Sequence, residues 1–172
     1  VMDEVGTMAH HIERLESYVD AMTRLRRLED LEVRRGPVDR GVFMAGLRDT
    51  ADMLRGAKKI SWEVRGDTCW NIDRQVVAQV CENLLVNAFR HSRSAVWVKI
   101  SAEGGALCVV VSDDGHGFSH RALERATEPF YREESGGRMG LGLHICRLLC
   151  ERHGGSFSIC NNAEGGAVAC AS

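Results

Sequence analysis

The sequence predicts an α+β fold: a sheet with helices on one face, preceded by one long bundle-type helix. Three observations predict it. A heptad-like apolar seam is confined to the first 35 residues. Beyond it the hydrophobic period switches repeatedly between helical and strand spacing. The short alternating runs come in pairs joined by glycine turns, so hairpins and helices must share one core.

Val5, Met8, Ile12, Leu15, Val19 and Met22 step by three or four, and Leu25, Leu28 and Leu31 continue at threes. Glu13, Arg14, Glu16, Arg24, Arg26 and Arg27 fill the gaps. This is one amphipathic helix with a narrow stripe, and such a stripe needs a second helix or another chain to bury it. Gly36-Pro37 ends it, because proline disfavours helical backbone in the residue before it. Two units follow from this break, 1–35 and 37–172.

In the second unit, 40–57 reads as a helix with Phe43, Leu47, Ala51 and Leu54 inward. Residues 60–64 alternate as a strand that ends in a turn at Gly66-Asp67. Asp73 is placed to N-cap a helix running to about Arg90, with Val77, Val80, Cys81, Leu84 and Ala88 on one face. Strands at 96–100 and 107–111 are joined by Glu103-Gly104-Gly105. Residues 119–139 are polar and glycine-bearing, a long loop with at most a short helix. A helix over 141–153 is stopped by Gly154-Gly155. A closing hairpin pairs 157–159 with 167–169.

Composition narrows the function. Of 172 residues, 44% are apolar and 27% charged, and the net charge is -2, so no basic field points to nucleic acid or an anionic membrane. No apolar run reaches the length of a membrane span, so direct membrane insertion is not expected. The acidic start at Val1–Glu4, with no apolar region after it, does not look like a signal peptide. The seven cysteines are odd in number, form no CxxC pair and mostly lie in apolar runs. They read as small buried thiols in a reducing cytosol rather than as metal ligands.

Three runs carry chemistry. Asn83, Asn87 and Arg90 fall at steps of four and three on one helix face; an amide oxygen can ligate Mg²⁺ and an arginine can neutralise phosphate. Asp113-Asp114-Gly115-His116-Gly117-Phe118 leaves a strand with two glycines that allow a tight turn, and a carboxylate there can accept from an exocyclic amine. On its own this run equally suits a plain strand exit. The third run, 136–143, is Gly-Gly-Arg-Met-Gly-Leu-Gly-Leu and leads into a helix, where backbone amides and the helix dipole favour phosphate.

In the order Asn helix, DxGxG, Glu128-Pro129-Phe130-Tyr131-Arg132, then Gly140-Leu141-Gly142-Leu143, the set resembles the N, G1, F and G2 boxes of the ATP-binding catalytic domain of sensor histidine kinases. The likeness covers roughly 37–172, while 1–35 corresponds to the second helix of that family's dimerisation and histidine-phosphotransfer hairpin. The resemblance implies a two-layer α/β sandwich with a mixed sheet under helices. It implies that Asn87 ligates Mg²⁺ on the ATP phosphates with Asn83 beside it, and that Arg90 and His91 lie near the phosphates and adenosine. By the same likeness Asp113 binds the adenine amine, Gly115 and Gly117 shape the pocket, Phe130 and Arg132 belong to a lid, and the amides at 140–143 hold phosphate.

Departures from the family pattern are informative. Asp114 replaces a common Asn and adds a negative charge near the nucleotide; Arg138-Met139 replaces a small pair and offers Arg138 to a phosphate. The family's His-Glu/Asp-x-x-x-Pro acceptor stretch is missing, and His10 and His11 read as solvated helix residues, so the acceptor is expected upstream of Val1. Glu82 is the acidic candidate for assisting that acceptor, although an ideal helix turns it about 100° from Asn83, away from Asn87. ATPase relatives and anti-sigma serine kinases carry a glutamate where this chain has Asn83, which disfavours carboxylate-activated hydrolysis.

The implied protein is a cytoplasmic bacterial histidine kinase that works as a homodimer and passes phosphate to a response regulator receiver domain. Any membrane anchor would lie in segments upstream. A degenerate nucleotide-binding or dimerisation module and an anti-sigma-type serine kinase are the competing readings.

Overall fold

In a computed structural model, which describes residues 2–131 and 140–172, the apolar seam forms helix α1 (Met2–Glu29). Its apolar residues divide into two stripes. Met8, Ile12, Leu15, Val19 and Met22 are exposed. Ala21 and Leu25 are buried and Leu28 packs on the core. With Tyr18, these three lie about a third of a turn from the first stripe at 100° per residue. Leu25 and Leu28 therefore do not continue the seam; they dock α1 on its own domain.

The helix stops at Glu29, short of the predicted residue 35. Leu31 and Val33 are half-buried between exposed Glu32 and Arg34, which is the two-residue alternation of extended chain. Two anchors hold this connector. The Arg34 N–H donates to Asp73 Oδ2 at 2.8 Å, and the Arg35 guanidinium donates to the His153 carbonyl. The chain then forms β1 (Gly36–Asp39), antiparallel to β3 (Cys69–Ile72), with Val38 opposite Trp70. Neither strand was predicted, since four residues are too few to show a period. Trp70 is buried, donates its indole N–H to the Asp67 carbonyl and meets Phe43 edge-on at 5.5 Å.

Asp39 caps α2 (Arg40–Leu54) by accepting the Val42 N–H. Phe43, Met44, Leu47 and Ala51 are buried, whereas Leu54, predicted inward, ends the helix and is exposed. After β2 (Lys59–Gly66), Asp73 caps α3 (Arg74–His91) through the Gln75 and Val76 N–H groups. Val76, Leu85 and Phe89 join the buried face of α3, while Val77 is only half-buried. The hairpin β4 (Ala95–Glu103) to β5 (Ala106–Asp113) turns on Gly104 and Gly105. Then come α4 (His120–Arg125), α5 (Gly142–Arg152), β6 (Phe157–Asn161) and β7 (Ala167–Ala171).

The main sheet runs β2-β4-β5-β7-β6; β2 and β4 are parallel across the α3 crossover and the other pairs are antiparallel. On β4, buried Val96, Val98, Ile100 and Ala102 alternate with exposed Trp97, Lys99 and Glu103. The buried side meets α3 and α5, and Leu84, Leu85, Ile100 and Leu149 lie fully inside. This is the expected α+β arrangement of a mixed sheet under helices, behind one long helix.

All seven cysteines are free thiols. Cys81, Cys146 and Cys150 are buried where α3 meets α5, and burial pushes Cys81 and Cys150 up to about 12 and raises Cys146 as well. Cys69 and Cys160 are exposed, and Cys108 and Cys170 half-buried, so the expectation of buried thiols fits only three positions.

Candidate functional site

A cavity of about 170 Å³ lies between the second half of α3 and the start of α5. The four-and-three spacing on α3 turns Asn83, Asn87 and Arg90 toward it, with Val86 between them and His91 at the helix end. Asn83 Nδ2 is buried and forms no full hydrogen bond among the described residues, with the Cys146 thiol as its polar neighbour. A buried amide donor so weakly engaged gains from any bound group that accepts from it.

The opposite wall starts from β5. Asp113, at its end, is 2% exposed and does not itself line the cavity, although Ala167, whose N–H points to it, does. Asp113 Oδ1 accepts from the N–H of Gly115 at 2.8 Å and of Ala167 at 3.5 Å. Gly115 does not line the cavity either, and is pressed so close to α3 that a Cβ there would come within 2.2 Å of the His91 carbonyl oxygen. Gly117 lines the cavity with φ +74°, and its Cβ would meet the Gly165 carbonyl oxygen at 2.2 Å. Only glycine fits either place.

Two asparagines fix this loop from the last hairpin. Asn161 accepts the Phe118 N–H at 2.7 Å and donates to the Phe118 carbonyl at 2.8 Å. Asn162 accepts the N–H groups of Glu164 and Gly166 and donates to the Asp113 carbonyl at 3.4 Å.

Asp114 takes no part in the cavity lining. Its carboxylate accepts the N–H groups of Arg93, Ser94 and Ala95 at 2.8, 3.0 and 3.1 Å, and the Ser94 hydroxyl at 2.6 Å. The Ser94 hydroxyl first, and these N–H groups together, hold the carboxyl well below the usual carboxylate range, against burial, which pushes it up. Asp114 thus ties the α3–β4 loop to the strand exit, just before the part of the loop that lines the cavity.

The third side is the start of α5. Gly140, Leu141, Gly142 and Leu143 all line the cavity, and Gly140 has φ +68°. Leu141 is the N-cap and no side chain among the described residues caps the helix, so its first-turn N–H groups suit an anion. Behind them, buried His144 joins Nδ1 to the Thr127 carbonyl at 2.9 Å, and Arg147 reaches the Thr127 hydroxyl at 3.4 Å.

The remaining sequence-predicted residues lie elsewhere. Glu82 is exposed on α3 and does not line the cavity. Phe130 does not line it either; it has φ +64°, rare for a bulky residue, and stacks on Tyr18 of α1. Arg132 and Arg138 lie outside the described residues. Sequence reasoning had not assigned the lining residues Val86, His116, Phe118, Ala122, Ala126, Tyr131 and Ala167. The four-residue spacing of Ala122 and Ala126 was a usable signal for an apolar face. His116 sits edge-on to His91 at 5.9 Å, a pairing no spacing reveals.

Among the described residues no group of three or more His, Cys, Asp or Glu is placed to hold a metal. A divalent ion here would draw its ligands from an amide oxygen, water and the bound molecule. That donor set suits Mg²⁺, which keeps several waters and phosphate oxygens.

Comparison with known proteins gives a consistent picture. Residues 72–171 match the family described as histidine kinase-, DNA gyrase B-, and HSP90-like ATPase. The sensor histidine kinase RegB of Cereibacter sphaeroides is 29% identical over 179 residues, covering 94% of this chain and 37% of the relative. The sensor protein SphS of Synechococcus elongatus is 30% identical over 187 residues, covering 95% of this chain and 44% of the relative. The chain thus spans less than half of either relative. Among solved structures, full-length ShkA in complex with AMPPNP superposes with a TM-score of 0.76 at 24% identity, over 98% of this chain and 37% of that one. The mycobacterial sensor histidine kinase MprB gives 0.68 at 22% identity, over 80% and 95%. With the boxes in order on a shared fold, the chain belongs to the histidine kinase-, DNA gyrase B-, and HSP90-like ATPase family, as an ATP-binding domain of the histidine kinase type.

Proposed function

We propose that this chain binds Mg-ATP in the α3–α5 cavity and transfers the γ-phosphoryl group to a histidine of a dimerisation hairpin, for relay to a response regulator. The observation that carries this reading is the opposition of Asn83, Asn87 and Arg90 to the start of α5, with buried Asp113 bonded to Ala167 of the lining. A purine would lie over Asp113, whose Oδ1 is already occupied, and offer its exocyclic amine to the carboxylate. The phosphates would meet Arg90, the buried amide of Asn83 and the N–H groups of residues 140–143. The Asn87 amide oxygen would hold Mg²⁺, which would supply neutralisation of phosphate charge. Arg132 and Arg138 are proposed as further phosphate contacts, with Glu82 assisting the acceptor.

Phosphoryl transfer asks mainly for alignment and charge stabilisation, which these groups supply. With Asn83 where hydrolytic relatives carry a glutamate, no carboxylate on this helix face is positioned to activate water. That favours transfer to an imidazole over hydrolysis. The exposed α1 stripe supports a homodimer through a helical bundle. The proposed location is cytoplasmic; no helix among the described residues is long and apolar enough to cross a membrane.

Titration calorimetry with and without Mg²⁺ tests binding. Uptake should depend on the metal and fall at least tenfold in Asn87→Ala and Asp113→Ala; unchanged uptake overturns the site. Acid-labile phosphate on a separately supplied acceptor hairpin tests transfer. Binding without transfer would favour the second reading, a nucleotide-sensing module without kinase activity.

A further inference from the structure

The open face of the sheet, away from α3 and α5, carries three thiols. Side chains alternate along a strand, so while Val109, Ala169 and Ala171 face the helices, Cys108 on β5, Cys170 on β7 and Cys160 on β6 face outward. Cys170 lies opposite Val110, which makes Cys108 its diagonal neighbour across the β5–β7 ladder. Their sulfurs are 3.8 Å apart, and both side chains are half-buried. Cys160 lies opposite Val168 and is exposed. The buried thiols Cys81, Cys146 and Cys150 lack such access.

We propose that Cys108 and Cys170 form a modification site that accepts a low-molecular-weight disulfide as oxidant and closes into an intrachain disulfide. The sulfurs must move from 3.8 Å to the bonded distance of about 2.05 Å, which requires rotation of both side chains. Burial, with the neighbouring thiols Cys108 and Cys160, pushes Cys170 up to about 11, and in the proposed exchange Cys170 is the second thiol to react. The Cys108 thiolate attacks one sulfur of the oxidant RSSR, expels RS⁻ and leaves a mixed disulfide on Cys108. Cys170 then loses its proton to solvent, attacks the Cys108 sulfur and expels the second RS⁻. Two protein thiols and RSSR become one protein disulfide and two RSH. The bond would tie β5 to β7, the strands that bring Asp113 against Ala167 at their other ends.

The test uses the whole chain, fully reduced, incubated with oxidised glutathione, quenched in acid, then alkylated under denaturing conditions and mapped by mass spectrometry. The expected product has lost two hydrogens, shows two fewer alkylated positions than the reduced chain's seven, and yields a peptide pair joined through Cys108 and Cys170. Its urea midpoint should rise. Cys160→Ser should still form the link, whereas Cys108→Ser and Cys170→Ser, checked for retained fold by circular dichroism, should not. Seven alkylated thiols, glutathione adducts without a link, or a link through Cys160 in the wild-type chain would each overturn the proposal, whatever the variants do.

Discussion

Tyr18 of α1 stacks on Phe130, with ring centroids 4.6 Å apart and planes 21° from parallel. One aromatic pair thus joins the long helix to the segment that follows α4. It holds Phe130 in a left-handed backbone conformation that a bulky residue rarely keeps without support.

Tyr18→Ala should lower stability by about 1 kcal/mol, the usual worth of such a pair beyond area burial. Hydrogen exchange should quicken around residues 128–131 while β4 and β5 keep their protection. Equal protection at 128–131 in both proteins would show that the stack holds nothing in place.

Asn161→Ala removes both bonds that clamp Phe118. A loss of about 1–3 kcal/mol is expected from stranding the Phe118 N–H and carbonyl. Urea unfolding gives that number, and nucleotide titration should show weaker uptake, because the loop carrying Gly117 is no longer fixed.

At position 114 an asparagine should be well tolerated. Its amide oxygen can keep the Arg93 and Ala95 N–H bonds, and the Ser94 hydroxyl can turn to accept from its NH₂ group. Asp114→Ala strands these donors and should cost about 1–2 kcal/mol, less than a buried charge would because the site is open to solvent. Parallel denaturation of the two variants decides it, and equal losses would contradict the hydrogen-bond account.

Acid should weaken the fold in two stages. His153 accepts the Asp73 N–H at Nε2, which requires an unprotonated nitrogen. Burial, then the Arg35 cation, hold its pKa below the ordinary histidine value, with Asp73 pulling the other way. A depressed folded pKa means stability is complete above about 6.5, the unfolded value, and falls as pH drops through the folded one. For Asp73, burial opposes ionisation, but the N–H groups of Arg34, Val76 and Gln75 still hold it low. With Asp114, also depressed, it contributes stability that is complete above about 4 and is lost below. Unfolding measured across pH should show both stages, and His153→Gln should flatten the first alone.

Where a side chain's position follows from local periodicity or capping, the sequence revealed it. The Asp73 cap, the α3 face that carries Asn83, Asn87 and Arg90, and the glycine-turned hairpins are of this kind. What escaped depended on distant partners. β1 and β3 exist only as each other's complement, and Asn161 and Asn162 act on a loop more than 40 residues away. Asp114 shows the same dependence: His116 and Gly117 just after it line the cavity, yet its own carboxylate answers to residues 93–95. Leu25 and Leu28 fit a heptad by spacing alone, and only the domain's own surface shows that they belong to another stripe.

The asparagine clamps come from the final hairpin, which has a consequence for biogenesis. A ribosome-bound chain extended only through α5 already contains the amide helix and the α5 start. It still lacks Asn161, Asn162 and the Ala167 amide that brace the DxGxG turn. The proposed nucleotide capture would therefore wait until residues 161–172 have emerged and paired, and truncation before Asn161 should abolish it in chains that retain every residue of α3.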